Sequence, residues 1–327
     1  GWGTALAMVL HGNGHNVTMW EIFPEYARKL EKKRENATYL PGVKIPKGIN
    51  ITSSIEKILA DSDVLVMAVP SKHYRSVARM IGAKAAGKLV ISATKGLELG
   101  TMKRMSQVFM EETGLKPAFF AVVSGPSHAE EVARKMPTAV VVASSSPRTA
   151  KKAQSMLNSP FFRVYTSTDV AGVELAGSLK NVIALAKGML DGMGAGDNLK
   201  AALMTRGLAE IMRLGLEMGA ESATFLGLAG VGDLVVTCNS RHSRNRLIGE
   251  RLGKGVNPDR VMKNFAMAVE GIPTSAAACR IAARHGVDMP ITKSVYRVLY
   301  RNADMKSEMK KLMSRKVKPE FGKAGTG

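Results

Sequence analysis

Two lysines stand where a charged side chain is unusual. Lys180 interrupts the apolar helical stretch GVELAGSLKNVIALA, and Lys95 directly follows the apolar run LVISAT. A positioned cation that donates a proton can stabilise negative charge that develops in a reaction, and burial lowers its pKa toward a useful range. Each lysine also has a plain alternative, because Lys180 could extend its ammonium into water and Lys95 could be a solvated loop charge.

Other polar residues lie at predicted turns between elements. SRNRLIG places Ser243, Arg244 and Asn245 at a helix start, where free N–H groups and a guanidinium can bind a phosphate. Asp233 follows the glycine-rich turn GVG, where an aspartate either caps a helix or serves a site. Thr237 lies one turn later if that segment is helical.

The stretch SGPSHAEE marks a strand that runs into a helix. Ser127 could offer its hydroxyl to a ligand or cap this helix, and the two roles are compatible. His128 is interpreted as an incidental residue at the helix start. Gly177 stands one helical turn before Lys180, where a missing side chain could let a substrate approach.

The opening residues fit the second half of a dinucleotide-binding turn. A helix is predicted from Gly3, the strand VTMW follows it, and Glu21 stands 18 residues after Gly3. That spacing is near the ~20 residues expected between the glycine-rich turn and an acidic ribose ligand. Gly3 is therefore predicted as the third glycine, with the first strand before residue 1, and this chain alone is expected to bind cofactor poorly. A glycine-capped surface helix is the alternative.

The first half of the chain alternates β-branched runs with helical patterns, which predicts a doubly wound α/β domain with a parallel sheet. After residue 167 the strand signals fade, and a 3.6-residue period predicts an all-helical second domain. The predicted domains are 1–167, 168–317 and a tail, 318–327. The predicted strands are Val17–Trp20, Ile49–Ser53, Val64–Val69, Leu89–Thr94, Phe119–Gly125, Ala139–Ala143 and Phe162–Thr166.

The composition is that of an ordinary globular protein with a basic excess. It has 47 Lys and Arg residues against 27 Asp and Glu, a net charge of +20. This excess indicates nucleic-acid binding or scattered solvated charges, and we favour scattered charges that attract phosphorylated small molecules. The two cysteines fit no metal site, and no apolar run is long enough to span a bilayer. We therefore expect a cytoplasmic protein without a metal or a membrane span.

Seven motifs in one order give the chain a family resemblance along essentially its whole length. They resemble those of the NAD(P)-dependent glycerol-3-phosphate dehydrogenases of the bacterial type. That family has a Rossmann-like domain followed by a helical substrate domain, and its opening reads GxGxWGTALA after a strand. The motifs here are GWGTALA, ATKGLE, SGPSHAEEVA, GSLKNVIALAKGMLDG, GLAGVGDLVVTC, SRHSRNRLIGERLG and AVEGIPT.

The resemblance implies reversible hydride transfer between a nicotinamide cofactor and C2 of dihydroxyacetone phosphate, feeding glycerophospholipid synthesis. It implies Lys180 as the catalytic residue, with Asp233 holding its ammonium in place. The implied substrate-binding residues are Lys95, Gly125, Ser127, Lys180, Asn181, Asp233, Thr237, Ser243, Arg244 and Asn245. The implied cofactor-binding residues are Gly1, Trp2, Gly3, Glu21, Ile22, Phe23, Lys95, Ala129, Arg244 and Glu270.

The cofactor could be NAD or NADP, and Glu21 favours NAD because its charge repels a 2′-phosphate. Arg28 or Lys29 could offset that repulsion, and Phe23 could stack near the adenine. Arg241 and Arg246 are interpreted as surface charges. Two alternative functions stay open: a related dehydrogenase acting on a hydroxyacid or sugar acid, and a basic protein that binds phosphate groups or nucleic acid. Apolar helix faces in the second half are compatible with a homodimer.

Overall fold

The structure is a computed structural model that describes residues 1–257, 259–260, 269–317 and 319–320. The described residues form an α/β half with a mainly parallel sheet and a helical half. Except for residues 319 and 320, the predicted tail lies outside the described residues. No helix in the described part of the chain is long and apolar enough to cross a membrane.

All seven predicted strands are present, and each end lies within two residues of its predicted position. The strands are β1 (Thr18–Trp20), β2 (Asn50–Thr52), β3 (Val64–Met67), β4 (Leu89–Ser92), β5 (Phe120–Ser124), β6 (Thr138–Ala143) and β7 (Phe162–Ser167). The residues of β4 and β5 are all buried, as expected of central strands whose two faces are covered, whereas β1 and β2 contain no fully buried residue.

The strands form two sheets, β1–β2 and β3-β4-β5-β6-β7, and one pairing corrects the predicted parallel order. β5 and β6 run antiparallel, with Val123 opposite Val142, whereas every other described pairing is parallel. The helix between β5 and β6 is a single turn, Ala129–Val132, too short to carry the chain back across the sheet. The expectation of a strand before residue 1 stays a prediction.

The helices of the α/β half alternate with the strands, and the helices of the second half follow one another directly. In chain order the described helices are α1 (Trp2–Gly12), α2 (Pro24–Lys33), α3 (Ile55–Asp61), α4 (Ser71–Ile81), α5 (Met105–Thr113), α6 (Ala129–Val132), α7 (Pro147–Leu157), α8 (Val170–Gly192), α9 (Asp197–Glu217), α10 (Ser222–Leu226), α11 (Asp233–Asn239), α12 (Arg244–Gly253), α13 (Gly271–Arg284), α14 (Pro290–Arg301) and α15 (Met305–Met313).

Helix α8 is the centre of the helical half and is buried from Gly172 to Leu190. Helix α12 packs on it so closely that glycines are required at the contact. A Cβ at Gly188 would lie 2.1 Å from the carbonyl oxygen of Arg246, and one at Gly249 would lie 2.1 Å from that of Leu185. The glycines four residues later on each helix make the same approach: Gly192 and Gly253. This contact fixes α12 along the C-terminal part of α8.

A buried carboxylate caps α14 from a distance in the sequence. Glu210 of α9 is 1 % exposed and accepts hydrogen bonds from the backbone N–H groups of Ile291 (2.7 Å) and Thr292 (3.1 Å). Burial raises the pKa of Glu210 to about 7, although these hydrogen bonds oppose the rise. The folded state therefore favours the protonated carboxyl group.

We predict that Glu210→Gln weakens the pH dependence of stability. In the wild-type protein, the protonated Glu210 stabilises the folded state by about 3 kcal/mol. This stabilisation is fully present below pH 4.5 and is lost as pH rises through about 7. Urea unfolding at pH 5 and pH 8 measures this, with Glu217→Gln, an exposed position on the same helix, as the control. Equal pH dependence in Glu210→Gln and wild type would contradict the prediction.

Candidate active site

Strands β4 and β5 end next to each other, and their carboxyl ends bring polar residues toward α8 and α11. Lys95 follows β4, Gly125 follows β5, and both lie near Lys180 in the middle of α8 and Asp233 at the start of α11. Ligands bind beyond the carboxyl ends of strands in open α/β sheets. The α/β half and the helical half therefore build this site together.

A single carboxylate binds both lysines. Lys95 Nζ donates to Oδ2 of Asp233 at 2.7 Å and to the carbonyl oxygen of Gly125 at 3.0 Å. Lys180 Nζ donates to the other oxygen, Oδ1, and to Oγ1 of Thr237 at 2.5 Å. Asp233 is 1 % exposed and Lys180 is 5 % exposed. A buried charge cluster of this kind persists only where its members satisfy one another.

The charges shift the pKa values of the cluster in useful directions. Burial lowers the pKa of Lys180 to about 8, the attraction of Asp233 limits the fall, and the charge of Lys95 adds to it. Burial alone would raise the pKa of Asp233, but the two ammonium groups hold it below its usual value. Asp233 is therefore ionised at neutral pH, while Lys180 can gain or lose a proton near physiological pH.

The chain before α11 explains why Asp233 is buried. A π-helical turn, Leu228–Gly232, leads directly into the helix. A Cβ at Gly230 would lie 2.0 Å from the carbonyl oxygen of Phe225, so only glycine allows the turn to close. The helix that follows confirms the predicted spacing, because Thr237 Oγ1 donates to Asp233 Oδ1 at 3.2 Å from one turn away.

Amide hydrogen bonds join the start of α12 to Asn181, the residue that follows Lys180 on α8. Asn245 Nδ2 donates to Oδ1 of Asn181 at 3.0 Å, and its own Oδ1 accepts from the N–H of Gly271 at 2.9 Å. Ser243 caps α12, while Arg244 stays exposed at the helix start. The N–H groups of a helix start together with a guanidinium can bind a phosphate.

Arg246 is not the surface charge that the sequence suggested. Its guanidinium pairs with Asp191 at 3.1 Å and with Glu250 at 3.1 Å, and Nε donates to the carbonyl oxygen of Ser240. These contacts tie α12 to the end of α8. Arg241 is exposed, as expected.

The predicted cofactor residues of the first turn lie together. Trp2 opens the eleven-residue helix α1, and its Nε1 is buried without a hydrogen-bond partner in the described part of the chain. A Cβ at Gly1 would lie 3.8 Å from that of Ala129, and one at Gly3 would lie 3.3 Å from that of Ala68, just beyond β3. An unpartnered donor at a helix start that packs this closely on the sheet fits a pyrophosphate group.

The other cofactor residues flank this turn. Glu21 follows β1 and accepts a hydrogen bond from the N–H of Phe23 at 3.2 Å, and the side chains of Ile22 and Phe23 are exposed. Glu270 accepts from the N–H of Ser71 at 2.9 Å and also from its hydroxyl, so the helical half contacts the start of α4. Burial raises the pKa of Glu270, although Ser71 and the charge of Arg244 oppose the rise. These residues fit a nicotinamide dinucleotide.

Comparison with known proteins agrees with this architecture. The family model for the NAD-dependent glycerol-3-phosphate dehydrogenase N-terminus matches residues 1–150, and the model for the C-terminus of the same enzymes matches residues 169–310. A glycerol-3-phosphate dehydrogenase [NAD(P)+] of Prosthecochloris aestuarii is 48 % identical over 322 residues, covering 98 % of this chain and 97 % of that protein.

The chain belongs to the NAD(P)-dependent glycerol-3-phosphate dehydrogenases. A relative of the same name from Moorella thermoacetica is 49 % identical over 96 % of this chain and 93 % of that protein. The crystal structure of a glycerol-3-phosphate dehydrogenase from Coxiella burnetii superposes with a TM-score of 0.91 at 36 % identity, covering 96 % of both chains. Members of this family are NAD(P)-dependent oxidoreductases, with a Rossmann-like domain and a helical domain.

One interpretation of the turn after β5 is wrong for this chain. Ser127 does not cap α6, because its hydroxyl donates to the carbonyl oxygen of Gly125 at 2.8 Å and His128 occupies the cap position. Gly125 has a φ of +138°, which favours glycine, and its carbonyl oxygen also accepts from Lys95. The turn therefore orients the carbonyl oxygen of Gly125 toward Lys95.

Ser124 was missed from the sequence. Its hydroxyl is buried at the end of β5 without a hydrogen-bond partner among the described residues, and a Cβ at Gly177 would lie 2.5 Å from it. The missing side chain at Gly177 therefore lets α8 approach Ser124. The sequence instead predicts room for a substrate at this position. Its place in the sequence could have identified it, because Ser124 is the last residue of β5, whose carboxyl end faces the site.

We predict that Asp233→Asn destabilises the protein by about 3 kcal/mol at pH 7, because it leaves two ammonium groups without their carboxylate. Lys180→Met in the same chain should recover part of this loss, since it removes one unpaired charge. Urea unfolding of the single and double variants measures the coupling. Asp197→Asn, whose side chain is 99 % exposed, serves as the control. Additive losses in the double variant would contradict the shared-carboxylate interaction.

Proposed function

We propose that this chain catalyses reversible hydride transfer between NAD(P)H and C2 of dihydroxyacetone phosphate, which forms sn-glycerol 3-phosphate. The observation that carries the proposal is the buried cluster of Lys180, Lys95 and Asp233 beside the start of α12. A proton-exchanging ammonium next to a phosphate-binding helix start suits a phosphorylated ketone. This pairing favours the proposal over a hydroxyacid substrate, which has no phosphate to bind.

Lys180 is the proposed catalytic residue. A bound nicotinamide cofactor would provide the hydride for reduction at C2 and would take it up in oxidation. As the C2–O double bond opens, the oxygen takes a proton from Lys180 Nζ, which then recovers a proton from water. In oxidation the neutral Lys180 takes the hydroxyl proton. A pKa of about 8 allows both directions near neutral pH.

Asp233 and Thr237 are proposed to position Lys180. Each accepts a hydrogen bond from Nζ, so the ammonium keeps a fixed direction and a third proton can point to the substrate. Lys95, which pairs with the other carboxylate oxygen of Asp233, is proposed to stabilise negative charge on the C2 oxygen. Its own bond to Gly125 holds it against the carboxyl end of the sheet.

Substrate and cofactor are proposed to bind on either side of this cluster. Arg244 would bind the phosphate, with help from the other substrate residues around it, Gly125, Ser127, Asn181, Ser243 and Asn245. The pyrophosphate would lie at the start of α1, near Gly1, Trp2, Gly3 and Ala129, and Glu270 would contact the cofactor from the helical half. Glu21 supports NAD over NADP, with Ile22 and Phe23 offering an apolar surface to the adenine.

The wider assignments are proposals of the same kind. Residues 1–167 are proposed as the cofactor domain and 168–317 as the substrate domain, since β7 ends at Ser167 and α8 begins at Val170. We propose a cytoplasmic enzyme that supplies glycerophospholipid synthesis and does not act on nucleic acid. Exposed apolar residues of the helical half, Leu226 and Val235, support a homodimer.

The test follows oxidation of NADH and of NADPH in the presence of dihydroxyacetone phosphate. We expect turnover in wild type and a loss of at least about 10³-fold in Lys180→Met, with cofactor affinity nearly unchanged. Lys187→Met is a matched control, because Lys187 lies on the same helix, is also buried, and pairs with Asp191 away from the cluster. No turnover in wild type, or equal turnover in Lys180→Met, would contradict the proposal.

A further inference from the structure

His128 lies between the lysine cluster and the start of α12. It directly precedes α6, between Ser127 and Ala129. Its ring centroid is 6.0 Å from that of His242, and His242 directly precedes Ser243, the cap of α12. The imidazole is thus held at the boundary between the residues proposed for C2 and those proposed for the phosphate.

The imidazole has an unsatisfied polar atom. Nε2 of His128 is buried and has no hydrogen-bond partner among the residues that the structure describes. Leaving a buried polar atom unpaired destabilises the folded protein, because the atom has lost its hydrogen bonds to water. A site that accepts this cost in the free protein is one in which a bound group supplies the missing partner.

The surroundings keep the imidazole neutral. Burial lowers the pKa of His128 first, and the positive charges of Lys180 and Lys95 lower it further, while Glu130 and Asp233 oppose them. Lys180 faces it from α8, Lys95 from the turn after β4, Asp233 from α11, Glu130 from α6, and His242 from the turn before α12. A neutral imidazole has one N–H donor, and the partner of the ring decides which nitrogen carries it.

We propose that His128 contacts the substrate, with its Nε2–H donating a hydrogen bond to the phosphate group of the bound three-carbon ester. The inference rests on the proposed function and extends it to His128, which lies in the motif SGPSHAEEVA but is given no role by the family resemblance. A substrate with its C2 oxygen at Lys180 and its phosphate at the start of α12 lies alongside this ring. A neutral donor adds a contact to the phosphate without adding another cation beside two lysines and an arginine.

The test compares His128→Phe, which keeps the ring and removes the donor, with His128→Gln, whose amide nitrogen can take the place of Nε2. His128→Phe should raise the KM for dihydroxyacetone phosphate about 10-fold or more, with kcat within threefold of wild type. His128→Gln should restore most of the lost affinity. Unphosphorylated dihydroxyacetone should be reduced with the same kcat/KM by wild type and both variants, because it lacks the phosphate.

A second readout does not depend on turnover. Calorimetry should show that sn-glycerol 3-phosphate binds about 10-fold more weakly to His128→Phe than to wild type, and that His128→Gln recovers this affinity. If the phenylalanine variant does not fold, His128→Ala gives the same comparison with a smaller side chain.

Three results would overturn the proposal. They are unchanged KM and Kd in His128→Phe, an equal loss with and without the substrate phosphate, and failure of His128→Gln to recover affinity. Absence of turnover in wild type, by contrast, would contradict the proposed function, and the binding measurement would still decide the role of His128.

Discussion

The structure of the candidate site depends on one buried carboxylate that two lysines share. Asp233 pairs with Lys95 through one oxygen and with Lys180 through the other, and it is almost wholly inaccessible to water. Without the carboxylate, or without the ammonium groups, the remaining charge would be buried and unpaired, where water cannot solvate it. The same interaction sets the pKa of Lys180, because the carboxylate resists the effect of burial. Stability and proposed chemistry therefore depend on the same three side chains.

That carboxylate also joins the two halves of the protein. Lys95 belongs to the α/β half and Asp233 to the helical half, so their ion pair is a contact between the two halves. Glu270 and Ser71 make a second such contact near the predicted cofactor turn. The glycine contacts hold α12 along the C-terminal part of α8, and Asn245 at the start of α12 donates to Asn181. Substrate and cofactor groups would consequently meet in a site whose opposite walls come from different halves.

Local patterns in the sequence were sufficient for some of this and insufficient for the rest. The strands were predictable because β-branched runs are local signals, and Thr237 was placed correctly one turn after Asp233 because helical spacing is local. The antiparallel pairing of β5 and β6 was missed, since it depends on how far a one-turn helix carries the chain. Arg246 was misread because its partner Asp191 is distant in the sequence.

The site residues show the same limit. Lys180 was noticeable because a lysine stands out in an apolar helix, whereas Ser124 was missed and His128 was interpreted as incidental, since serine and histidine are ordinary in turns. Only the folded structure shows that Ser124 Oγ and His128 Nε2 are buried without a partner among the described residues. Burial, and pairing between residues that are distant in the sequence, are properties of the folded chain, and a short sequence motif does not show them.

The central claim is that Lys180, held by Asp233 at a pKa of about 8, exchanges the substrate proton. The most direct measurement is kcat/KM of the wild-type protein as a function of pH in both directions. Reduction of dihydroxyacetone phosphate needs the ammonium form, so its kcat/KM should fall as pH rises through about 8. Oxidation of sn-glycerol 3-phosphate needs the neutral amine, so its kcat/KM should rise over the same range. Profiles that are flat between pH 7 and 9.5, or that move in the same direction, would contradict the account.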